Sequence, residues 1–351
     1  MPTRGRSTLT QFLIESRRSA PHATGEFNAL ITNVSLACKA IARRVAQGTL
    51  EREPTVPVID AADTSPLFVR ATEWAGHLAG ISAADAPAPQ AIPVHYPLGK
   101  YLLRFESLDG VDNLDVNVTV GSIFSILRVA VPGEVATPGD WLQPGTAQVC
   151  AGYAIYGPCT MLVITFGQGT HAFTLDAALG EWVLSHPRLT VPTATRDFAI
   201  NASNTRFWEP AVKRYVNECF AGRSGPRGAD FSLRWVASLV AEAHRILLRG
   251  GVFLDPRDTR DALRPGRLRL LHEVQPIAFL IEQAGGMAST GHGRAMDVAP
   301  LTLDDRVGFV FGSRDEVERI ERYHVEHVSP EAVDDYVSPL FGHRGLFART
   351  E

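Results

Sequence analysis

The stretch Phe105-Glu106-Ser107-Leu108-Asp109-Gly110-Val111-Asp112-Asn113-Leu114-Asp115 places four acidic residues around a glycine, between two apolar segments. Segments 101–105 and 116–131 are predicted to be strands. A turn of this kind offers clustered carboxylate oxygens, which are the ligands that divalent cations such as Mg²⁺ prefer. Taken alone, the turn also fits a solvated acidic surface loop, since carboxylates are mostly exposed.

Length and composition limit the class of protein. The chain has 351 residues, is 45% hydrophobic and carries a formal net charge of -4. It is long enough for two packed lobes, and we expect an N-terminal lobe at 1–190, a C-terminal lobe at 191–335 and a tail at 336–351. No apolar run is long enough to cross a bilayer, and the charge argues against a nucleic-acid partner. No signal-peptide pattern follows the basic N-terminus, so the expected location is cytoplasmic.

Helical and strand patterns alternate along the chain, which predicts an α/β fold with mixed sheets between helix layers. Strands are predicted at 101–105, within 116–131, at 251–254 and at 307–312, with a β-meander over 149–182. Segments 51–66 and 83–97 contain prolines and are predicted to be irregular. Helices are predicted as two within 8–48, then at 67–78, 209–220, 239–248, 276–285 and 314–325.

The acidic turn resembles the metal-binding signature of class 1 fructose-1,6-bisphosphatases, and further motifs match that family in the same order. This resemblance implies a layered sugar-phosphatase fold and Mg²⁺-dependent hydrolysis, with Mn²⁺ as an alternative ion, of the 1-phosphate of fructose 1,6-bisphosphate. It also implies a homotetramer acting in gluconeogenesis or the Calvin cycle. The further matching motifs are Gly99-Lys100-Tyr101, Val120-Gly121-Ser122-Ile123-Phe124, Ala151-Gly152-Tyr153-Ala154-Ile155-Tyr156-Gly157, Arg234-Trp235-Val236-Ala237-Ser238, Gly250-Gly251-Val252-Phe253, Leu268-Arg269-Leu270-Leu271-His272-Glu273 and Ala284-Gly285-Gly286-Met287-Ala288.

Carried over one position at a time, the resemblance implies roles for individual residues. Guanidinium groups suit substrate phosphate because they form paired hydrogen bonds. The water-activating aspartate falls in the shortened segment 51–66, where Asp60 and Asp63 are the candidates. The metal ligands are Glu106, the backbone carbonyl of Leu108, Asp109 and Glu273. The substrate positions are Asp109, Gly110, Asn201, Arg234 from a neighbouring subunit, Arg267 and Arg269.

A regulatory site for AMP is also implied. Amides at the start of a helix can bind a phosphate, and two cations and a phenol can assist them. A simple helix start explains the same Thr-Gly-Glu stretch equally well. The implied residues are Thr24, Gly25, Glu26, Lys100, Tyr101 and Arg128.

Several catalytic positions depart from the family pattern. Alanines Ala83 and Ala84 stand where the family has two glutamates, which predicts weaker metal affinity unless Asp85 or Asp112 turns inward. Asp255 stands in place of a tyrosine and is expected to repel phosphate, so a related sugar bisphosphate is a second candidate substrate. The alternative function is a catalytically impaired paralogue that acts as a regulatory or scaffolding subunit, assembled with an intact paralogue.

Histidine spacing gives no zinc motif. His77, His171, His244 and His272 lie far apart in the sequence, and an isolated histidine in an apolar segment is usually a core residue. The sequence therefore predicts no zinc site.

Overall fold

A computed structural model describes residues 7–16, 25–48, 61–260 and 266–328. The helices are α1 Leu9–Ser16, α2 Gly25–Gln47, α3 Ala61–Thr72, α4 Pro138–Trp141, α5 Pro210–Ala221, α6 Leu239–Arg249, α7 Gln275–Gln283 and α8 Arg314–Val328. The strands are β1 Leu78–Ala83, β2 Tyr101–Asp109, β3 Val120–Arg128, β4 Cys150–Tyr156, β5 Thr160–Thr165, β6 Thr170–Asp176, β7 Glu181–Leu189, β8 Asp197–Ile200, β9 Ser232–Leu233, β10 Val252–Asp255, β11 Leu268–Arg269, β12 Met287–Ser289, β13 Arg306–Val307 and β14 Phe309–Gly312.

Strands β1 to β7 form one sheet in chain order. Only the β1–β2 pair is parallel; each later strand runs antiparallel to its neighbour. The turn from β5 to β6 contains Gly167 and Gly169, whose φ angles of 83° and 99° lie in the left-handed region that glycine adopts readily. The β-meander predicted from these turn residues is confirmed.

The second sheet has the order β12-β14-β10-β8-β9. Strand β10 pairs parallel with β8 and antiparallel with β14, so this sheet is mixed. Strands β11 and β13 form a separate antiparallel pair that leads into the site described below.

Three apolar layers hold the sheets and helices together. The first joins α1, α2 and α3 to one face of the seven-stranded sheet. The second lies between the other face of that sheet and the five-stranded sheet, and contains α6 and α7. The third packs α5 and α8 on the outer face of the five-stranded sheet. This arrangement confirms the predicted layered α/β fold with mixed sheets.

Two predictions around β1 are wrong. The helix predicted at 67–78 begins earlier, at Ala61, and Leu78 starts β1. The sequence Leu-Ala-Gly-Ile-Ser-Ala gives no strand signal because all six residues are buried and polar alternation is absent. Residues 61–66, predicted to be irregular because of Pro66, form the first turns of α3 with this proline inside the helix.

The described residues include no helix with the length and apolar character needed to span a bilayer. The tail predicted at 336–351 lies outside the described residues. The division into lobes at 190 and 335 stays a prediction.

Candidate active site

The acidic turn stands where regular strand pairing is interrupted. The β2–β3 register shifts between Glu106 and Asp109, and the chain then turns at Gly110 with φ 75°. A Cβ at position 110 would lie 2.8 Å from the Cβ of Ser238. Both the left-handed backbone and this close approach require glycine here. The turn is therefore held against the start of α6.

Asp109 anchors α6. Its Oδ2 accepts hydrogen bonds from the Ser238 hydroxyl at 2.6 Å and from the Val240 amide at 2.9 Å. Its Oδ1 accepts from the Leu239 amide at 3.2 Å. Burial raises the pKa of Asp109, although these bonds oppose that shift. A carboxylate has about four acceptor positions, so the three bonds leave room for further contact with a ligand.

Glu273 reaches the same place from a π-helical turn, Leu270–Val274, between β11 and α7. Its Oε2 accepts a hydrogen bond from the backbone amide of Arg269 at 2.6 Å. Single π-helical turns are rare and often occur at functional sites, because they redirect a side chain without ending the helix. The turn brings a third carboxylate to Glu106 and Asp109.

We define the acid cluster as Glu106, Asp109 and Glu273. Glu106 interacts electrostatically with both of the other carboxylates. Its Oε2 is buried and has no hydrogen-bond partner among the described residues. Burial raises the pKa of Glu106 well above its usual value, and the charges of Glu273 and Asp109 raise it further. Burial likewise raises the pKa of Glu273 to about 7. Carboxylates that disfavour one another's ionisation in this way fit a bound cation.

Asp85 adds a fourth carboxylate at the edge of the cluster. Its Oδ1 accepts a hydrogen bond from the Ser65 hydroxyl at 2.8 Å, and its charge contributes to the raised pKa of Glu106. Asp112, the other candidate for turning inward, is exposed on the turn after Gly110. Of the two residues, Asp85 is the one whose charge reaches Glu106.

The two alanines before Asp85 face different surroundings. Ala83 pairs with Phe105 in the β1–β2 ladder and is 4% exposed, in the apolar layer under α3. The Ala84 amide donates to the Phe105 carbonyl at 2.9 Å, which places Ala84 beside Glu106. Because side chains alternate along a strand, Ala83 shares the face of its partner Phe105 and not that of Glu106, and Ala84 follows in the turn after β1.

The predicted substrate residues occupy the neighbouring strands and loops. Arg269 is 28% exposed in its side chain, 3.6 Å from a carboxylate oxygen of Asp304. Asn201 uses its Oδ1 to accept from the Ser203 amide and hydroxyl, which leaves its amide nitrogen available as a donor. Arg234 is exposed, with its Nε 3.8 Å from Asp197.

Asp255 differs from its predicted effect. The sequence suggests an acid that repels phosphate, but Asp255 is paired with Arg267 through contacts of 3.2 and 3.3 Å. Its charge is therefore compensated within the protein. Arg267, which was predicted to bind phosphate, is therefore already engaged in an ion pair.

A group of buried hydroxyls next to Asp85 was not predicted from the sequence. The Ser107 hydroxyl lies 2.9 Å from the hydroxyls of both Thr64 and Ser65. These residues link the start of α3 to β2, and no spacing rule connects segments so far apart. Asp63, one candidate for activating water, is exposed beside them on α3. The other, Asp60, lies outside the described residues.

The predicted AMP residues come together only in part. Glu26, one residue after Gly25 at the start of α2, forms an ion pair with Lys100 at 2.5 Å. Arg128 is exposed at the end of β3. Tyr101 does not present its phenol to an open surface, because it is fully buried with its ring 5.8 Å from that of Phe27. Thr24 lies outside the described residues.

The raised pKa of Glu273 predicts a pH-dependent stability of the metal-free protein. The folded chain holds a proton on Glu273 that the unfolded chain releases near pH 4.5, so stability is full below that pH and falls as pH rises towards about 7. Each pKa unit corresponds to about 1.4 kcal/mol, so the loss is on the order of 3 kcal/mol. Urea unfolding in EDTA at pH 5 and pH 8 measures it. Glu273→Gln should equal the wild type at pH 5 and exceed it at pH 8; an equal pH dependence in both proteins would contradict the assignment.

A sequence profile described as "Fructose-1-6-bisphosphatase, N-terminal domain" matches residues 67–187, and one described as the C-terminal domain matches residues 191–325. A class 1 fructose-1,6-bisphosphatase of Methylibium petroleiphilum is 61% identical over 99% of both chains. A class 1 enzyme of Hydrogenophilus thermoluteolus is 56% identical over 97% of both.

Solved structures agree with the sequence relatives. The holo form of Leishmania major fructose-1,6-bisphosphatase superposes with a TM-score of 0.83 at 31% identity, covering 91% of this chain and 99% of that one. The T-state of the same protein gives a TM-score of 0.80 with the same coverage. Since profiles, relatives and structures match over nearly the whole length, the chain belongs to the class 1 fructose-1,6-bisphosphatase family.

Proposed function

We propose that this protein hydrolyses the 1-phosphate of fructose 1,6-bisphosphate, giving fructose 6-phosphate and phosphate. The buried, unpartnered Oε2 of Glu106 among the carboxylates of Asp109 and Glu273 is the observation that carries the proposal. A buried carboxylate oxygen is costly unless it is hydrogen-bonded, protonated or bound to a cation, and three clustered carboxylates suit a cation. The relatives named above are described as fructose-1,6-bisphosphatases.

Mg²⁺ is the expected ion, with Mn²⁺ as the alternative, and Glu106, the Leu108 carbonyl, Asp109 and Glu273 would hold it. A bound divalent ion neutralises phosphoryl oxygens and lowers the pKa of a water molecule. All of these protein ligands are oxygens, which is the preference of both ions. Asp85 is positioned to add a further oxygen at the edge of the cluster.

The remaining residues position the substrate. The side chains of Arg269 and Arg267 suit phosphate recognition, and the free amide nitrogen of Asn201 suits a sugar oxygen. Gly110 lets the backbone of the acidic turn lie close to Ser238 at the start of α6. Asp109 holds the start of α6 at a fixed position beside the cluster, which preorganises the site.

Coupled detection of fructose 6-phosphate and of free phosphate tests the proposal. The pure protein, stripped of metal and supplied with Mg²⁺ or Mn²⁺, should release one phosphate per fructose 6-phosphate formed. Release from a related sugar bisphosphate alone would identify a different substrate. Absence of release from every sugar bisphosphate, in a protein that binds them, would favour the scaffolding alternative instead.

The ion pair between Asp255 and Arg267 makes a prediction about substrate affinity. Asp255→Asn should free Arg267 for phosphate and remove a nearby negative charge, which lowers KM with little change in kcat. We expect a decrease of several-fold, because the pair is partly exposed and its strength is limited. Steady-state kinetics measure it, with Asp230→Asn, which removes an exposed acid paired with Arg223, as the control. An unchanged or higher KM would place Arg267 away from the substrate.

AMP regulation is a further part of the proposal. A cavity of about 270 Å³ lies between α1, the start of α2 and the β5–β6 turn, and is lined by Phe12, Phe27 and Phe166 among others. Aromatic walls can stack with a base, and the ion pair of Glu26 with Lys100 lies at the same end of α2. None of the residues lining the cavity belongs to the acid cluster. Inhibition by AMP in the same phosphate assay, relieved by Lys100→Ala, would support it; insensitivity to AMP would remove it.

A homotetramer is the proposed assembly. Arg234 is 56% exposed in its side chain and neighbours Leu233, an exposed apolar residue. This placement suits an arginine that reaches into a neighbouring subunit. Association with an intact paralogue belongs to the scaffolding alternative, and the cytoplasmic location stays a prediction.

A further inference from the structure

Three potential metal ligands meet outside the acid cluster, at one end of the five-stranded sheet. Glu209 immediately precedes α5, His324 lies on α8, and His292 lies on the turn that follows β12. One ligand atom from each lies within 4.8 Å of the others. Their positions on three separate elements explain why sequence spacing gave no zinc motif.

The protonation of His324 is constrained by its surroundings. Its Nδ1 lies 2.9 Å from the carbonyl oxygen of Ile320. A carbonyl only accepts hydrogen bonds, so Nδ1 carries a proton, and a neutral ring then directs the lone pair of Nε2 outward. That Nε2 lies 3.2 Å from Oε2 of Glu209, which is also an acceptor. The lone pairs of the His324 Nε2 and the Glu209 Oε2 repel each other at this distance unless a second ring proton or a metal ion lies between them.

The geometry suits a metal ion. The His292 Nε2 lies 3.4 Å from the Glu209 Oε1, and the His324 Nε2 lies 3.2 Å from the Glu209 Oε2, so each histidine contacts a different oxygen of one carboxylate, and all three ligand atoms lie within 4.8 Å of one another. Ligands about 2.0–2.1 Å from Zn²⁺ in a tetrahedron lie about 3.3 Å apart. The bond from His324 Nδ1 to a carbonyl is the outer contact that commonly fixes the tautomer of a metal-bound histidine.

The turn that carries His292 is held in place. The Thr290 amide donates to the Gly293 carbonyl at 2.9 Å, and the Ser289 hydroxyl donates to Glu321 on α8 at 2.5 Å. Gly291 has φ 91°, and a Cβ there would lie 3.2 Å from the ring of His324. Glycine therefore allows the turn to approach α8 closely enough for both histidines to face Glu209.

We propose that Glu209, His292 and His324 form a transition-metal site, selective for Zn²⁺ over Mg²⁺, that joins α8 and the β12 turn to the start of α5. Two imidazoles with one carboxylate favour Zn²⁺, whereas Mg²⁺ prefers oxygen ligands only. Water completes the coordination. Because α5 follows the segment that begins at Asn201, the ion stabilises the C-terminal layer next to the substrate positions.

The charges around the site permit this binding. A glutamate with its usual pKa of about 4.3 is ionised at neutral pH, as a metal ligand must be. Arg257 is the competing cation nearby, and it lies on the loop after β10.

Zn²⁺ stoichiometry tests the proposal. The full-length protein in a Glu273→Gln background, which weakens the acid cluster, is stripped with EDTA and dialysed against micromolar Zn²⁺ with millimolar Mg²⁺. Metal analysis should find one more Zn²⁺ per chain than in the same protein carrying His292→Ala. His292 is the suitable variant because its side chain is 39% exposed. His327 is an exposed histidine on α8, the helix that carries His324, so His327→Ala is the matched control and should keep the ion.

Thermal unfolding gives a second readout. Zn²⁺ should raise Tm in the parent and in His327→Ala, since an ion that binds only the folded chain stabilises it. The rise should disappear in His292→Ala and in Glu209→Gln. Equal Zn²⁺ content in the parent and His292→Ala, or a Tm rise that survives both substitutions, would overturn the proposal.

Discussion

Glu273→Gln is expected to lower kcat for phosphate release at least about 10³-fold, which corresponds to about 4 kcal/mol. The side chain keeps its shape, and an amide oxygen can still accept the hydrogen bond from the Arg269 amide that Oε2 accepts now. Only the charge is removed. The loss therefore reports on cation binding and not on folding.

A Mg²⁺ titration shows whether the lower activity of Glu273→Gln comes from weaker cation binding. The concentration for half-maximal activity should rise sharply in Glu273→Gln, because the acid cluster loses one of its three carboxylates. Glu318→Gln on the exposed face of α8 is the control, since its side chain is 55% exposed and far in sequence from the site. Full activity in Glu273→Gln would mean that the acid cluster does not hold the catalytic ion.

Ala83→Glu and Ala84→Glu are expected to differ strongly, although they introduce the same side chain at neighbouring positions. Ala83 is 4% exposed within the apolar layer under α3. A carboxylate there has no partner, so we expect a cost of about 3 kcal/mol or more and a fall in Tm of ~5–10 °C. Ala84 lies beside Glu106, where a bound cation compensates the charge.

Two measurements in millimolar Mg²⁺ distinguish the variants. Calorimetry should show a large fall in Tm for Ala83→Glu and a small change for Ala84→Glu. The Mg²⁺ concentration for half-maximal phosphate release should fall several-fold in Ala84→Glu, because an added carboxylate strengthens cation binding. Similar Tm values for the two variants would contradict the assignment of Ala83 to the core and Ala84 to the site.

The sequence predicted the parts of the site whose chemistry lies within one short segment. The acidic turn carries its strands, its glycine and two carboxylates within a few residues, so the pattern indicated Glu106, Asp109 and Gly110 as candidates, and the family resemblance implied their roles. Glu273 was predicted to be a metal ligand because the motif that it ends matches the family pattern. The α/β layering followed from the alternation of helical and strand patterns.

Contacts between distant segments were not predictable in the same way. The hydrogen bond from Ser65 to Asp85 and the pair between Asp255 and Arg267 depend on how loops approach each other. Strand β1 was missed because a fully buried parallel strand has no polar alternation. The burial of Tyr101 likewise depends on the packing of α2 over the sheet, which its position in the sequence does not reveal.

The most direct test of the central claim is phosphate release from fructose 1,6-bisphosphate during a Mg²⁺ titration of the EDTA-stripped wild type beside Glu273→Gln. We predict no release without metal, saturable release by the wild type, and a loss of at least about 10³-fold in the variant. Metal-independent release, or a variant as active as the wild type, would contradict the account of Glu106, Asp109 and Glu273 as the cation site.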